Sequence, residues 1–144
     1  MNPENPYYNN SLAFAYVKIQ LYDDAIEYYQ NAIKLNPDAE WTAIVCHALG
    51  AIYAEIKDNF DAAEATFNAG MILDPNNVEI QLSLGDLYMA NNNIDKAIQT
   101  YCDAITTDSL NYLAYAKTGL ALWEKDYLEE SIVAFHKSIE LNND

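Results

Sequence analysis

The phrase NAIKLNPD at residues 31–38 comes back in blurred form as NAGMILDPN at 68–76, and both copies carry a proline near their end. Pro37 follows Pro3 by 34 residues and Pro75 follows Pro37 by 38, while Ser109 and Asn143 continue from Pro75 in two further steps of 34. This period constrains the fold more than the length does. Units of this size are single supersecondary elements that bury their apolar faces only against their neighbours. Proline supplies the punctuation: it lacks an N–H and clashes with the preceding turn, so Pro37 and Pro75 close one unit and set up the next.

Each unit holds two apolar patterns with a period of about 3.6 residues, separated by a short polar turn, and neither alternates as a half-buried strand would. The predicted class is therefore all-α, a helix–turn–helix repeated four times. Leu12, Ala13 and Tyr16 lead to Ala25, Tyr29, Ala32 and Pro37; Leu49, Gly50 and Tyr53 lead to Ala63, Phe67, Gly70 and Pro75. The third unit carries Leu84, Gly85, Tyr88, Ala97, Tyr101 and Ala104. The fourth carries Gly119, Leu122 and Phe135, with weaker matches at Thr118, Ser131 and Ser138.

With these residues the chain resembles the tetratricopeptide repeat family, whose signature is W-x2-L-G-x2-Y, then A-x3-F, then P. The signature tryptophan is replaced by Asn9, Cys46, Gln81 and Tyr115 in the four units. The resemblance implies a right-handed helical-repeat solenoid of antiparallel helix pairs, a single array with repeats at 6–38, 39–76, 77–110 and 111–144. Small residues at Ala13, Gly50, Gly85 and Gly119 let each first helix approach the second, where Ala25, Ala63 and Ala97 answer. Tyr16, Tyr29, Tyr53, Phe67, Tyr88, Tyr101 and Phe135 then fill the wedge between helices, and the phase of most tyrosines gives them a core role rather than that of a stacking platform for bases. Asp38, Asn76 and Asn111 stand where an N-cap accepts orphan amides. Three added residues at DAEWTAI predict that the second unit's first helix starts early, near Ala39, with Trp41 projecting from the extra turn. One more residue lengthens the turn at KDNFD.

Charge narrows the partners. The formal net charge is −15, from 22 acidic residues against 7 lysines and no arginine, which opposes nucleic-acid phosphates and anionic membrane surfaces. No apolar run reaches the roughly 18–20 residues a membrane span needs, and MNPENPYYNN lacks the parts of a secretory signal. Direct membrane insertion is not expected, and the cytoplasm is the expected location. Cys46 and Cys102 have no CxxC partner and read as small buried hydrophobes of a reducing compartment. The sequon Asn9-Asn10-Ser11 overlaps a predicted helix start and is discounted. The phase of Pro3 and of the closing SIELNND predicts that the chain is excised from a longer array, with Met1 added. An uncapped last helix carrying Ile132, Phe135, Ile139 and Leu141 would then leave apolar surface open to self-association.

Catalysis is not expected. His47 and His136 are far apart in phase with no second metal ligand at i+3 or i+4, no serine or cysteine has an adjacent base, and no phosphate loop occurs. No cofactor or metal is implied. Asp23-Asp24 and Glu129-Glu130 read as solvated first-turn acids, favourable at helix N-termini.

The family resemblance places peptide recognition in a concave groove lined by the first helix of each pair. Helical phase gives Tyr7, Asn10, Phe14 and Lys18 from the first unit, then Ile44, His47, Ala51 and Glu55. The third gives Glu79, Leu82, Asp86 and Met89; the fourth gives Leu113, Lys117, Leu120 and Trp123. Ala48, Ala51 and Ala54 leave a shallow stretch where a partner side chain could settle between Phe14 and Met89. Relatives that grip the C-terminal carboxylate of cytosolic heat-shock chaperones use basic and asparagine side chains, whereas Asn10, Phe14, Ala48, Glu79 and Lys117 do not form that clamp. The expected partner is a protein or peptide segment, apolar or mixed, with some basic residues to meet Glu55, Glu79, Asp86 and Glu124. Two other readings stay open: a recognition arm of a larger enzyme such as a glycosyltransferase or protease, and a chaperone for apolar secretion cargo.

Overall fold

A computed structural model of the chain describes residues 4–142, so Pro3 and Asn143, the outer marks of the period, lie outside the described residues. The described residues form eight α-helices and no strand: α1 Pro6–Lys18, α2 Tyr22–Leu35, α3 Ala39–Glu55, α4 Phe60–Leu73, α5 Val78–Ala90, α6 Ile94–Thr107, α7 Tyr112–Glu124 and α8 Leu128–Asn142. They divide into two compact units, the first ending at Asn77 and the second starting at Val78.

In the first unit α1 packs on α2, α2 on α3, and α3 on α4. Its core gathers Ala13, Ala25, Tyr29, Ala32, Leu49 and Ile52, with Tyr16, Trp41 and Tyr53 packed against them. The small residues have the expected steric reason. A Cβ on Gly50 would stand 2.5 Å from Phe67 Cε1, so only glycine lets α3 lie this close to the ring on α4. Asn5, Asp38 and Asn59 cap α1, α3 and α4 by accepting from Tyr7, Trp41 and Ala62 amides. Helix α3 begins at Ala39 and is 17 residues long, against 13 for α1. Trp41 does not simply project from the added turn. It is half-buried and meets Tyr7 edge-on, ring centroids 4.8 Å apart, because the extra turn brings it back over the start of α1.

In the second unit α5 packs on α6, α6 on α7, and α7 on α8. A Cβ on Gly85 would lie 2.2 Å from Tyr101 Cε1. Ser131 takes the place of the alanine that answers the small residue, Ala13, Gly50 or Gly85, in the other repeats. Its hydroxyl is buried and donates to the Gly119 carbonyl at 2.8 Å, which satisfies the polar atom at the close approach.

Several smaller expectations are corrected. Cys46 is buried, but Cys102 is exposed on α6, because its phase falls outside the Ala97–Tyr101–Ala104 stripe. Asn76 is not a cap: α5 begins at Val78, so Asn76 sits one residue early and gives its N–H to Asp74 Oδ1 at 3.2 Å. Asp23 is more than a solvated acid, since it pairs with Lys57 across the first unit. Asp95 and Lys125 pair in the same way across the second, at 2.9 Å. Both pairs tie the first turn of a second helix to the turn of the following repeat.

Candidate functional site

The expected surface residues come from the first helix of each pair. In the first unit Tyr7, Phe14 and Ile44 are exposed, and Lys18 Nζ lies 4.9 Å from the centre of the Phe14 ring. Asn10 is half-buried. His47 is also half-buried, its ring 6.1 Å from that of Phe67, so it belongs partly to the packing of α3 on α4.

In the second unit Leu120 and Trp123 are exposed on α7, and Met89 is half-buried on α5. Leu82 departs from its expected place: only 7% exposed, it points into the core and offers no surface to a partner. Helix α5 is apolar on nearly all sides, with Ile80, Leu82, Leu84 and Leu87 all buried, so helical phase alone does not separate its open face from its packed one.

The structure brings Asp86, Met89, Lys117 and Leu120 together around a hollow of about 190 Å³ between α5 and α7, with Tyr101 as its fifth lining residue. Lys117 Nζ donates to both Asp86 carboxylate oxygens at 2.7 Å. The Tyr101 hydroxyl donates to Asp86 Oδ1, also at 2.7 Å. Burial first, then the bond to Asp86 and the Asp86 charge, push the Tyr101 phenol well above its ordinary value. It stays a neutral donor. Asp86 is therefore satisfied from inside the chain by one cation and one hydroxyl. Lys117 keeps a third N–H beyond its two bonds to Asp86, since an ammonium carries three donors. Chemically the hollow is two apolar walls, Met89 and Leu120, beside a fixed and locally neutral polar cluster.

Tyr101 is the residue that periodicity placed only in the core. Its signal was present: the ring position holds Tyr rather than Phe, and the residue after the partner glycine, Asp86, is acidic where the other repeats have Phe14, Ala51 and Leu120. Among the described residues no group of three or more His, Cys, Asp or Glu side chains could hold a metal, and no helix is long and apolar enough to cross a membrane.

Three models of the tetratricopeptide repeat family match residues 5–71, 56–106 and 83–139, which together run through all eight helices. The chain belongs to the tetratricopeptide repeat family. It is 30% identical over 108 residues to BBSome complex member BBS4 of Bos taurus, a match covering 72% of this chain and 20% of that protein. It is 22% identical over 127 residues to DnaJ homolog subfamily C member 7 of Homo sapiens, covering 80% of this chain and 26% of that one. The chain thus spans about a fifth to a quarter of the curated relatives it matches. Among solved structures it is similar to MamA, with a TM-score of 0.86 at 27% identity over 99% of this chain and 81% of that one. It also matches YrrB, with a TM-score of 0.78 at 15% identity, covering 99% and 72%.

Proposed function

We propose that this tetratricopeptide array is a non-enzymatic interaction module that binds a segment of a partner protein on first helices of its repeats, α5 and α7 of the second unit above all. The observation that carries the reading is the hollow between α5 and α7, where Met89 and Leu120 flank the Lys117–Asp86–Tyr101 cluster. A small apolar side chain fits between the walls, and the spare Lys117 N–H suits a backbone carbonyl of the same segment. Because Asp86 is already paired, a preference for basic partners falls to the other acids and the overall charge, not to this carboxylate. A relative named as a member of a protein complex supports an assembly role. Repeat scaffolds of this kind act by presenting surface, and the free thiols suit a cytoplasmic location.

The test compares the wild-type chain with Leu120→Lys and Met89→Lys variants, each checked for unchanged helicity by circular dichroism. Partners captured by the wild type should be lost from both variants. Recovery of the same partners at the same yield would remove the α5/α7 face from consideration. A second reading, self-association, rests on α8, where Ile132 and Ile139 are exposed. Sedimentation should show oligomers that Ile139→Asp disperses, and a monomer at high protein concentration rejects it.

A further inference from the structure

A second hollow, of about 350 Å³, lies in the first unit between α2 and α4, with α3 as its floor. It opens on the side of α3 opposite Ile44 and His47, because Cys46, Leu49 and Tyr53 fall about half a helical turn away from those residues. The buried Cys46 and Leu49 form the bottom, and Ile33, Ala65 and Ala69 form the sides.

Two alanines explain why there is space. Ala65 and Ala69 are exposed and one turn apart on α4. Counting from Ala25, Ala63, Ala97 and Ser131, the matching pairs are Glu27 and Asn31, Gln99 and Asp103, and Val133 and Lys137. Only the second repeat has its wall cut down to methyl groups.

The rim supplies a charge. Gln30 Nε2 and Tyr53 Oη are joined at 3.0 Å, and Lys34 stands one turn along α2 from Gln30. Of the seven lysines, Lys57, Lys117, Lys125 and Lys137 form ion pairs, and Lys18 and Lys96 lie over aromatic rings. Lys34 alone has neither kind of partner among the described residues, on a chain with 22 acidic side chains. An open cation beside an apolar hollow is matched by an apolar group with a carboxylate close by.

We propose that this hollow is a second binding site, taking a partner segment that places one aliphatic side chain over Cys46 and Leu49 and an adjacent acidic residue against Lys34. It uses none of the residues assigned above to partner binding on the first helices.

The experiment is an NMR titration of the whole chain with two blocked peptides, acetyl-Leu-Glu-amide and acetyl-Leu-Gln-amide. Saturable shifts should centre on the methyls of Ala65, Thr66 and Ala69, with the glutamate peptide binding roughly fivefold tighter, the size of one partly exposed ion pair. Lys34→Gln should erase that difference. The double variant Ala65→Gln with Ala69→Asp, which copies the pair the third repeat carries at these exposed positions, should abolish the peptide-induced shifts while the Phe14 and Leu120 resonances keep their wild-type positions. Shifts unchanged in the double variant, shifts centred elsewhere, or no saturable response would overturn the proposal. A full response to 4-methylpentanoate, with none to the peptides, would also overturn it by assigning the site to small free acids.

Discussion

Tyr101 serves two purposes with one side chain: the ring occupies the space over Gly85 that no Cβ could share, and the hydroxyl holds Asp86 for Lys117. Tyr101→Phe keeps the packing and removes the bond, so urea unfolding at neutral pH should show a loss of about 0.5–1.5 kcal/mol. The same hydroxyl predicts a dependence on alkali. Burial, the bond to Asp86 and its charge raise the folded phenol above its ordinary 10.0, so the unfolded chain gives up this proton first. The contribution is complete below pH 10 and falls as pH rises above it, by up to about 1.4 kcal/mol per pH unit. Tyr29 shifts the same way through burial, so Tyr101→Phe should flatten that decline without removing it. Equal slopes above pH 10 would show that Tyr101 ionises alike in both states. The glycines separate by the freedom of the ring they face. At Gly50→Ala the new methyl meets the buried Phe67 at 2.5 Å, and overpacking of about 1–3 kcal/mol should outweigh the ~1 kcal/mol gain in helix propensity. At Gly119 the approach is 2.9 Å to the half-buried Phe135, which can give way, so Gly119→Ala should lie much closer to neutral in the same urea series.

At the scale of helices, the turn between the two members of each pair holds one residue in the left-handed region, although the second turn is a residue longer than the other three. Gln20, Asp58, Asn92 and Asp126 all have positive φ, at 62°, 46°, 57° and 65°. Asp and Asn tolerate this left-handed conformation better than other side chains, and glutamine does not share their short polar group. Gln20→Gly should therefore stabilise the first unit by about 0.5–1 kcal/mol, read as a higher urea midpoint with an unchanged slope. A lowered midpoint would mean that the Gln20 side chain does something the backbone angle does not reveal. These turns also show what the residue pattern could convey. The period, the eight helices, the early start at Ala39 and the buried alanines were readable because each rests on local spacing or on a size limit repeated four times. Leu82 and Cys102 were misplaced because α5 is apolar almost all round, and because cysteine type does not report which face of α6 it occupies. The pairing of Asp23 with Lys57, and of Asp86 with Lys117, joins residues 34 and 31 positions apart. Such pairs depend on how one helix pair lies against the next, which composition and periodicity within a single helix do not encode. The hollow beneath Ala65 and Ala69 was hidden for the same reason: small residues on an exposed face look inert until the helices beside them are in place.

Across the whole molecule, a formal charge of −15 acts on every approach the chain makes. Two copies meeting through α8 would gain apolar burial at Ile132 and Ile139 but bring like charges together. At about 0.01 M salt the Debye length is roughly 30 Å and the repulsion reaches across most of such a contact; near 1 M it is roughly 3 Å and only the apolar gain is left. Self-association should therefore strengthen as salt is added. A partner with a basic segment on the first-helix face should behave oppositely, since screening removes the attraction that speeds its approach. Sedimentation and partner capture measured across one salt series give trends of opposite sign if both surfaces work as proposed. Ile139→Asp should remove the rising trend and leave the falling one, because it alters only the α8 face. Oligomers that dissolve as salt rises would place their contacts on charged groups instead, and would exclude Ile132 and Ile139 of α8 as the joining surface.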